Sequence, residues 1–477
     1  MNIKTRLLMA TAAGIATVSG AQAADLPSRK AAPVEYVRVC STFGAGFFYI
    51  PGTDTCIRIG GRARFEYQYG QPFARNDATT GSRTTGRIFV DARTATEYGM
   101  LRAYVRYDVS RRIGQIYSGS AIRVGTAFTG TSVDYAGQAQ TQVDLNRAFV
   151  QFGGLTAGRT QSYFDFYSGD LEYVGTTAGS SLTTNLLAYT ATFGSGFSAT
   201  LSIEDQVERR SGVNIANGFL PAGTAVGTYA YTGDAMPDIV ANLRLDQGWG
   251  TVQLSGAVHQ IRVGNFAAAG PTLNTNGNAP DSEYGWAVNL GTKINLPMLS
   301  PGDVLYLQGT YTKGAPSYVL SNPFGLGKTP WSFGGVGALI PDAYVIGTAA
   351  LGGVAVNYNL EKPAVWGLTA AMLHYWTPTI RQAFMASYIK SDSPSQAFIA
   401  GGGFTLGNRN RDLTYWTLGT NVTWSPVKDL DLGVEVNYIH ANVGQGVSGS
   451  FIATDPVGIS VRNESVWNGR LKIQRDF

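Results

Sequence analysis

Ile57-Arg58-Ile59-Gly60-Gly61-Arg62-Ala63-Arg64-Phe65-Glu66-Tyr67-Gln68-Tyr69 alternates strictly with period two. That is the period of a strand whose two faces meet different surroundings. The odd positions hold Ile57, Ile59, Ala63, Phe65, Tyr67 and Tyr69, and the even positions hold Arg58, Arg62, Arg64, Glu66 and Gln68. The pattern returns from Leu101, where Leu101, Ala103, Val105, Tyr107 and Val109 oppose Arg102, Tyr104, Arg106 and Asp108. Near Thr414 it sets Trp416, Leu418, Val422 and Trp424 against Tyr415, Thr417 and Asn421. It runs to the last residue: Trp467, Leu471 and Ile473 share the face of Phe477, while Lys472, Gln474 and Asp476 occupy the other. A soluble sandwich alternates in the same way, so the pattern alone leaves the solvent open.

Loop lengths break that tie. Thr96-Glu97-Tyr98, Gly153-Gly154, Gly194-Ser195-Gly196, Gln247-Gly248-Trp249, Asn295 to Asp303, Thr377-Pro378-Thr379 and Ser425 to Asp429 read as short turns. Between them lie long polar connections: Ser110 to Gln142, Val207 to Pro237, Ser391 to Asp412 and Ala441 to Glu464. Short turns at one end and long loops at the other mark an outer-membrane barrel, which has an even strand number. Ala350 to Leu360 and Ala364 to Trp376 both look eligible as strands. The turn after Trp376 belongs to the short set, so Ala364 to Trp376 is the wall strand and Ala350 to Leu360 part of a long outer loop. We therefore expect an all-β transmembrane antiparallel barrel of about 16 strands. Phe477, a terminal aromatic on an alternating strand, fits a C-terminal assembly signal.

Composition agrees. The 477 residues are 44% hydrophobic and 14% charged, with 60 glycines and 12% aromatics. No run approaches the roughly 18–20 apolar residues of a spanning helix. Aromatic content and low net charge exclude a disordered chain. The formal net charge of +4 includes Lys4 and Arg6, so nucleic acid is not an expected partner.

The N-terminus supplies an address. A basic start, an apolar stretch from Leu7 to Val18 and the triplet Ala21-Gln22-Ala23 describe a secretory signal peptide over residues 1–23. Residues 24–55 then form a periplasmic lead-in and residues 56–477 the barrel. Cys40 and Cys56 are the two cysteines of this exported chain. In an oxidising compartment they are expected to pair. No histidine lies near enough to complete a metal site, and no cofactor is called for.

Several segments resemble the alphaproteobacterial porins. They are Val37 to Cys40 with Gly46 to Gly61, Thr156 to Ser162, Leu299 to Asp303, His374 to Pro378 and Lys472 to Phe477. The resemblance implies a sixteen-stranded, homotrimeric general porin of the Gram-negative outer membrane. Such a protein sits among lipid and lipopolysaccharide and passes ions and small hydrophilic solutes. It also implies that the third loop, Gln161 to Thr183, folds into the barrel and narrows it.

The polar faces themselves suggest how such a pore filters. On the first three strands they carry Arg58, Arg62, Arg64, Arg87, Arg93, Arg102 and Arg106, which Asp91 and Asp108 do not neutralise. Strands lie about 4.8 Å apart, so these side chains would form one basic patch on the inner wall. The loop Gln161 to Thr183 carries Asp165, Asp170 and Glu172, several aromatics and no Lys or Arg. Its acids are expected to face the arginine wall across the constriction.

Catalytic signals are weak. Ser425-Pro-Val-Lys428 matches S-x-x-K without its companion motifs, and Gly327-Lys328-Thr329 lacks the first glycine of a phosphate-binding loop. His259, His374 and His440 are scattered over strands. An outer-membrane hydrolase, a sugar-selective channel and a plugged structural barrel remain as alternatives.

Overall fold

The computed structural model describes residues 38–71, 79–114, 140–215, 231, 233–263, 281–320, 340–349, 355–392, 413–443 and 464–477. The expected signal peptide, the first part of the expected lead-in and Gly327 to Thr329 lie outside the described residues. A two-residue strand, β1 (Phe48–Tyr49), pairs with the start of β2 (Cys56–Gly70). From β2 each strand pairs antiparallel with the next: β3 (Thr80–Thr96), β4 (Gly99–Gly114), β5 (Gln140–Phe152), β6 (Leu155–Gln161), β7 (Thr183–Gly194) and β8 (Phe197–Glu204). The short β9 (Val213–Ile215) stands apart, and β8 pairs with β10 (Asp238–Gln247). The series continues through β11 (Gly250–Ile261), β12 (Glu283–Asn295) and β13 (Val304–Lys313).

At this point the chain leaves the wall. β14 (Ala343–Ala349) pairs antiparallel with β15 (Ala355–Glu361) and parallel with β9, making a separate three-stranded sheet. The wall resumes with β16 (Ala364–Thr377), which pairs with β13, as the turn argument requires. It continues with β17 (Ile380–Asp392), β18 (Leu413–Val427), β19 (Leu430–Val443) and β20 (Glu464–Asp476). β20 returns to β2, Arg62 opposite Asp476 and Gly70 opposite Asn468, closing a sixteen-stranded antiparallel barrel. Phe477 completes the seam: its carbonyl accepts from Gly61 N–H at 2.8 Å, and its own N–H donates to Gly61 O at 3.1 Å.

Seven short turns gather at one end, among them Glu97–Tyr98, Gly153–Gly154 and Lys428–Asp429. The last is tighter than the sequence suggests, because β18 runs through Ser425 to Val427. Asp429 takes the left-handed conformation there, at φ 63°, which short polar residues tolerate.

The distribution of polarity is inverted. Glu66, Gln68, Asp91, Gln253, Asn289, Gln308, Asn421 and Glu435 are buried, while Phe65, Tyr67, Leu254, Trp286, Leu290, Val422, Trp424 and Leu471 are exposed. In water such an apolar surface would be unstable. Against lipid, with the wall's strands hydrogen-bonded into a closed barrel, it is the favourable arrangement.

Three register shifts of the wall lie beside short turns, at Thr192/Gly194, Tyr375/Thr377 and Trp424/Val427, and one falls mid-strand, between β4 and β5. Arg106 pairs with Arg147 and Tyr107 with Leu145, so Asn146 is an extra residue. This bulge brings Arg147 onto the inner face although its number has the wrong parity for Asp144.

Candidate pore constriction

The inner faces of β2, β3, β4 and β20 build a wall of shared ion pairs. Asp91 accepts from Arg93 at 3.0 and 2.7 Å and from Arg102 at 2.8 and 2.9 Å. Asp108 accepts from Arg87 at 2.8 Å twice and from Arg106 at 3.1 and 2.7 Å. Glu66 holds Arg83 at 2.7 Å and Arg470 at 2.9 Å. Across the closing seam Arg62 pairs with Asp476, and Arg64 donates to Gln474 at 2.8 Å. Asp91 and Asp108 thus serve two guanidiniums each and Glu66 three, with Arg64 at 3.9 Å, so the wall keeps a cationic surplus. These pairs are bidentate through Nε and Nη2 on all four arginines around Asp91 and Asp108, a geometry that fixes each side chain.

Six of the seven expected arginines therefore form one wall. Arg58 lies apart, exposed at the start of β2, with its guanidinium 5.7 Å from the Phe89 ring. The wall also holds Glu66, Arg83, Arg147 and Arg470, none of them in the expected set. Arg470 lies on the polar face of the last strand, but only barrel closure sets β20 beside β2.

The loop between β6 and β7 runs inside the barrel. Its carbonyls at Tyr163, Asp165, Leu171 and Ala178 accept from Asn242 (2.7 Å), Gln253 (3.0 Å), Asn421 (2.7 Å) and Thr369 (2.7 Å). Tyr167 N–H donates to Gln308 at 2.9 Å, and Tyr173 and Val174 N–H both donate to Glu435 at 2.7 Å. Those partners come from β10, β11, β13, β16, β18 and β19, so the loop lines most of the wall opposite the arginines. Glycines in that wall make room for its rings. A side chain at Gly291 would collide with Phe166, and one at Gly433 with the Tyr173 hydroxyl. Burial pushes the Tyr173 phenol up to about 12, so it stays a neutral donor.

The three loop acids take different places. Asp165 departs from expectation: it is buried in the loop itself, accepting from Leu182 N–H at 2.7 Å and from the Ser180 hydroxyl. Arg209 lies 3.5 Å from it, packed 4.1 Å above the Tyr318 ring. A carboxylate inside a loop needs such donors, and these turn it away from the lumen. Glu172 accepts from Thr176 N–H at 2.6 Å and from Thr177, so it also braces its own loop. Asp170 is exposed. At Tyr173 the loop reaches the ionic wall: the ring lies 3.6 Å from Lys472 Nζ and the carbonyl accepts from Arg470 at 3.0 Å.

The remaining sequence candidates have structural partners. His259 is bonded to buried Asp238 at 2.8 Å, His374 to Asp303 at 2.6 Å and His440 to Ser465 at 2.9 Å. Ser425 sits between Arg381 and Asp431. Cys40 and Cys56 are disulfide-bonded, and the Phe47 ring beside them lies 4.8 Å from the Arg93 guanidinium.

A closed barrel with a loop folded across its lumen is a known arrangement, and the Porin subfamily profile matches residues 25–467. The chain belongs to this porin family. Porin Omp2b of Brucella canis is 33% identical over 266 residues, a match covering 53% of this chain and 64% of that protein. The chain thus spans just under two thirds of that relative's length. Porin Omp2a of Brucella ovis is 34% identical over 270 residues, covering 53% and 69%. In fold, the porin is similar to the outer membrane channel DcaP of Acinetobacter baumannii, with a TM-score of 0.52 and 15% identity over 90% of this chain and 99% of that one. It is an outer-membrane, multi-pass β-barrel of a Gram-negative cell.

Proposed function

We propose that this porin is a water-filled channel through which ions and small hydrophilic solutes diffuse passively, without catalysis or cofactor. The observation that carries the reading is the path of the loop Gln161–Thr183. It is pinned mainly to amides and hydroxyls of the opposite wall and reaches the ionic wall at Tyr173, beside Arg470 and Lys472. On this reading Arg62, Arg64, Arg87, Arg93, Arg102 and Arg106 form the basic side of the constriction. Arg58 guards its periplasmic approach, Asp170 and Glu172 supply the acidic side, and Asp165 braces the loop. Residues 1–23 are the export signal, 24–55 the lead-in and 56–477 the barrel, with Phe477 as assembly signal.

The working unit is a homotrimer set in lipid and lipopolysaccharide. The outer face of β3 carries Ser82, Thr84 and Gly86, where β12 carries Tyr284, Trp286, Val288 and Leu290. A strip of small residues suits a neighbouring subunit better than lipid. Purified protein in a planar bilayer should give stepwise KCl conductance in multiples of three. Silence would favour a plugged structural barrel, saturable block by sugars a sugar-selective channel, and ester hydrolysis by the purified barrel an enzyme.

A further inference from the structure

Three aromatic rings stand in line on the charged wall, one from each of three neighbouring strands. Phe89 of β3 and Tyr104 of β4 stack at 5.9 Å between centroids with planes 19° apart. Tyr104 and Phe149 of β5 stack at 5.3 Å and 22°. Phe89 shares the inner face of Asp91, and Tyr104 that of Arg102 and Arg106, so these two rings border the lumen, while Phe149 beside Tyr104 is buried. Guanidiniums flank it along the strand axis. Arg102 lies 5.1 Å from the Tyr104 centroid on one side. On the other side Arg87 and Arg106 meet at Asp108.

A polar lumen wall has no apolar core for such a row to complete. The rings under the loop differ, because they are covered: Tyr306 packs against Tyr167 at 5.0 Å. Phe89 and Tyr104 are half-buried, and their ring contacts among the described residues are with this row and with guanidiniums. Arg87 and Arg106 give Nε and Nη2 to Asp108, and Nη1 of each takes no acceptor among the described residues. The tier thus offers a flat apolar edge with unused cationic donors beside it.

We propose that this tier is a binding subsite for small aromatic carboxylates. The solute ring lies against Phe89 and Tyr104, which buried Phe149 holds in line from β5, and its carboxylate meets Nη1 of Arg87 and Arg106. The inference rests on the lumen being open to solutes, as proposed above. Acetate gains the charge contact alone, and a saturated ring adds only apolar burial. An aromatic one adds ring contact, worth roughly two- to tenfold in affinity.

The test is single-channel KCl current with benzoate, cyclohexanecarboxylate or acetate added. Benzoate should reduce the mean current saturably, half-blocking at a concentration about tenfold below acetate and about threefold below cyclohexanecarboxylate. In Tyr104→Leu the preference for benzoate over cyclohexanecarboxylate should fall to near one; if that variant does not insert, Phe89→Leu reads the same preference. Equal half-block by all three acids, or an undiminished preference in the variant, overturns the subsite and leaves the channel reading intact. Absence of any KCl conductance overturns both.

Discussion

The two halves of the lumen solve the problem of polar groups inside a barrel in different ways. The half formed by β2 to β5 and β20 is ionic, and its carboxylates Glu66, Asp91 and Asp108 are each divided between guanidiniums of their own and adjacent strands. The half formed by β10 to β13 and β16 to β19 presents mainly amides and hydroxyls: Asn242, Gln253, Asn289, Gln308, Thr369 and Asn421. Neutral groups satisfy a loop backbone at low desolvation cost, whereas bare guanidiniums are best satisfied by water and carboxylates. The loop lies on the half whose groups it can pair. Two buried carboxylates are exceptions on that half: Asp238, held by His259 and Tyr318, and Glu435, which accepts from two loop N–H groups; Glu435 is the exception that holds the loop backbone.

That exception supplies the sharpest test. Glu435→Ala removes the acceptor of Tyr173 and Val174 N–H, and hydrogen bonds to charged groups contribute about 1.5–3 kcal/mol each. The loop tip should detach, with noisier open-channel current and new cleavage by chymotrypsin after Tyr173. A quiet channel with the wild-type digest would mean that the amides and rings alone hold the loop.

Charge comes second. Asp170→Asn should move the zero-current potential in a KCl gradient towards anions, and Arg106→Gln towards cations. Both shifts should shrink as salt rises above about 0.15 M, where the screening length is about 8 Å. Glu172→Gln should act in the Asp170 direction but with added noise, since Glu172 also braces Thr176 and Thr177. No shift from either single-charge variant would remove the ionic half from selectivity.

A smaller effect is expected at the periplasmic edge of the ionic half. Replacing Cys40 and Cys56 by Ser releases a loop whose closure is worth about 3 kcal/mol in the entropy account. The lead-in should become protease-sensitive while the barrel melts as before, and thiol labelling of the wild type should require reduction. Labelling without reductant would show the bond to be unformed in the mature protein.

The smallest effect is a local contrast. Nitroxides at Ala63 and Arg64 should report apolar and aqueous surroundings respectively, because β2 turns Ala63 outwards and Arg64 inwards. The reverse would shift the ionic half by one residue and undo its pairing.

Much of this was legible from residue order, because a strand between lipid and water must alternate. The polar face of β2, the arginines of β3 and β4 and the short-turn set follow from neighbours in the chain. So does the exclusion of Ala350 to Leu360 from the wall, through the parity of a barrel whose ends meet on one side. Arg147 escaped that logic because one bulge at Asn146 reverses the parity.

Partnerships across the lumen needed the fold. Glu66 meets Arg470, and Tyr173 meets Glu435, over separations of 404 and 262 residues. Asp165 shows the same limit: in sequence it matches Asp170, but the fold surrounds it with Ser180, Leu182 and Arg209 and takes it out of the lumen. Period and turn length are local properties, so the sequence by itself determined the barrel and its inner face. Which charges face one another depends on closure and on where the loop lies, and only the tertiary structure decided that.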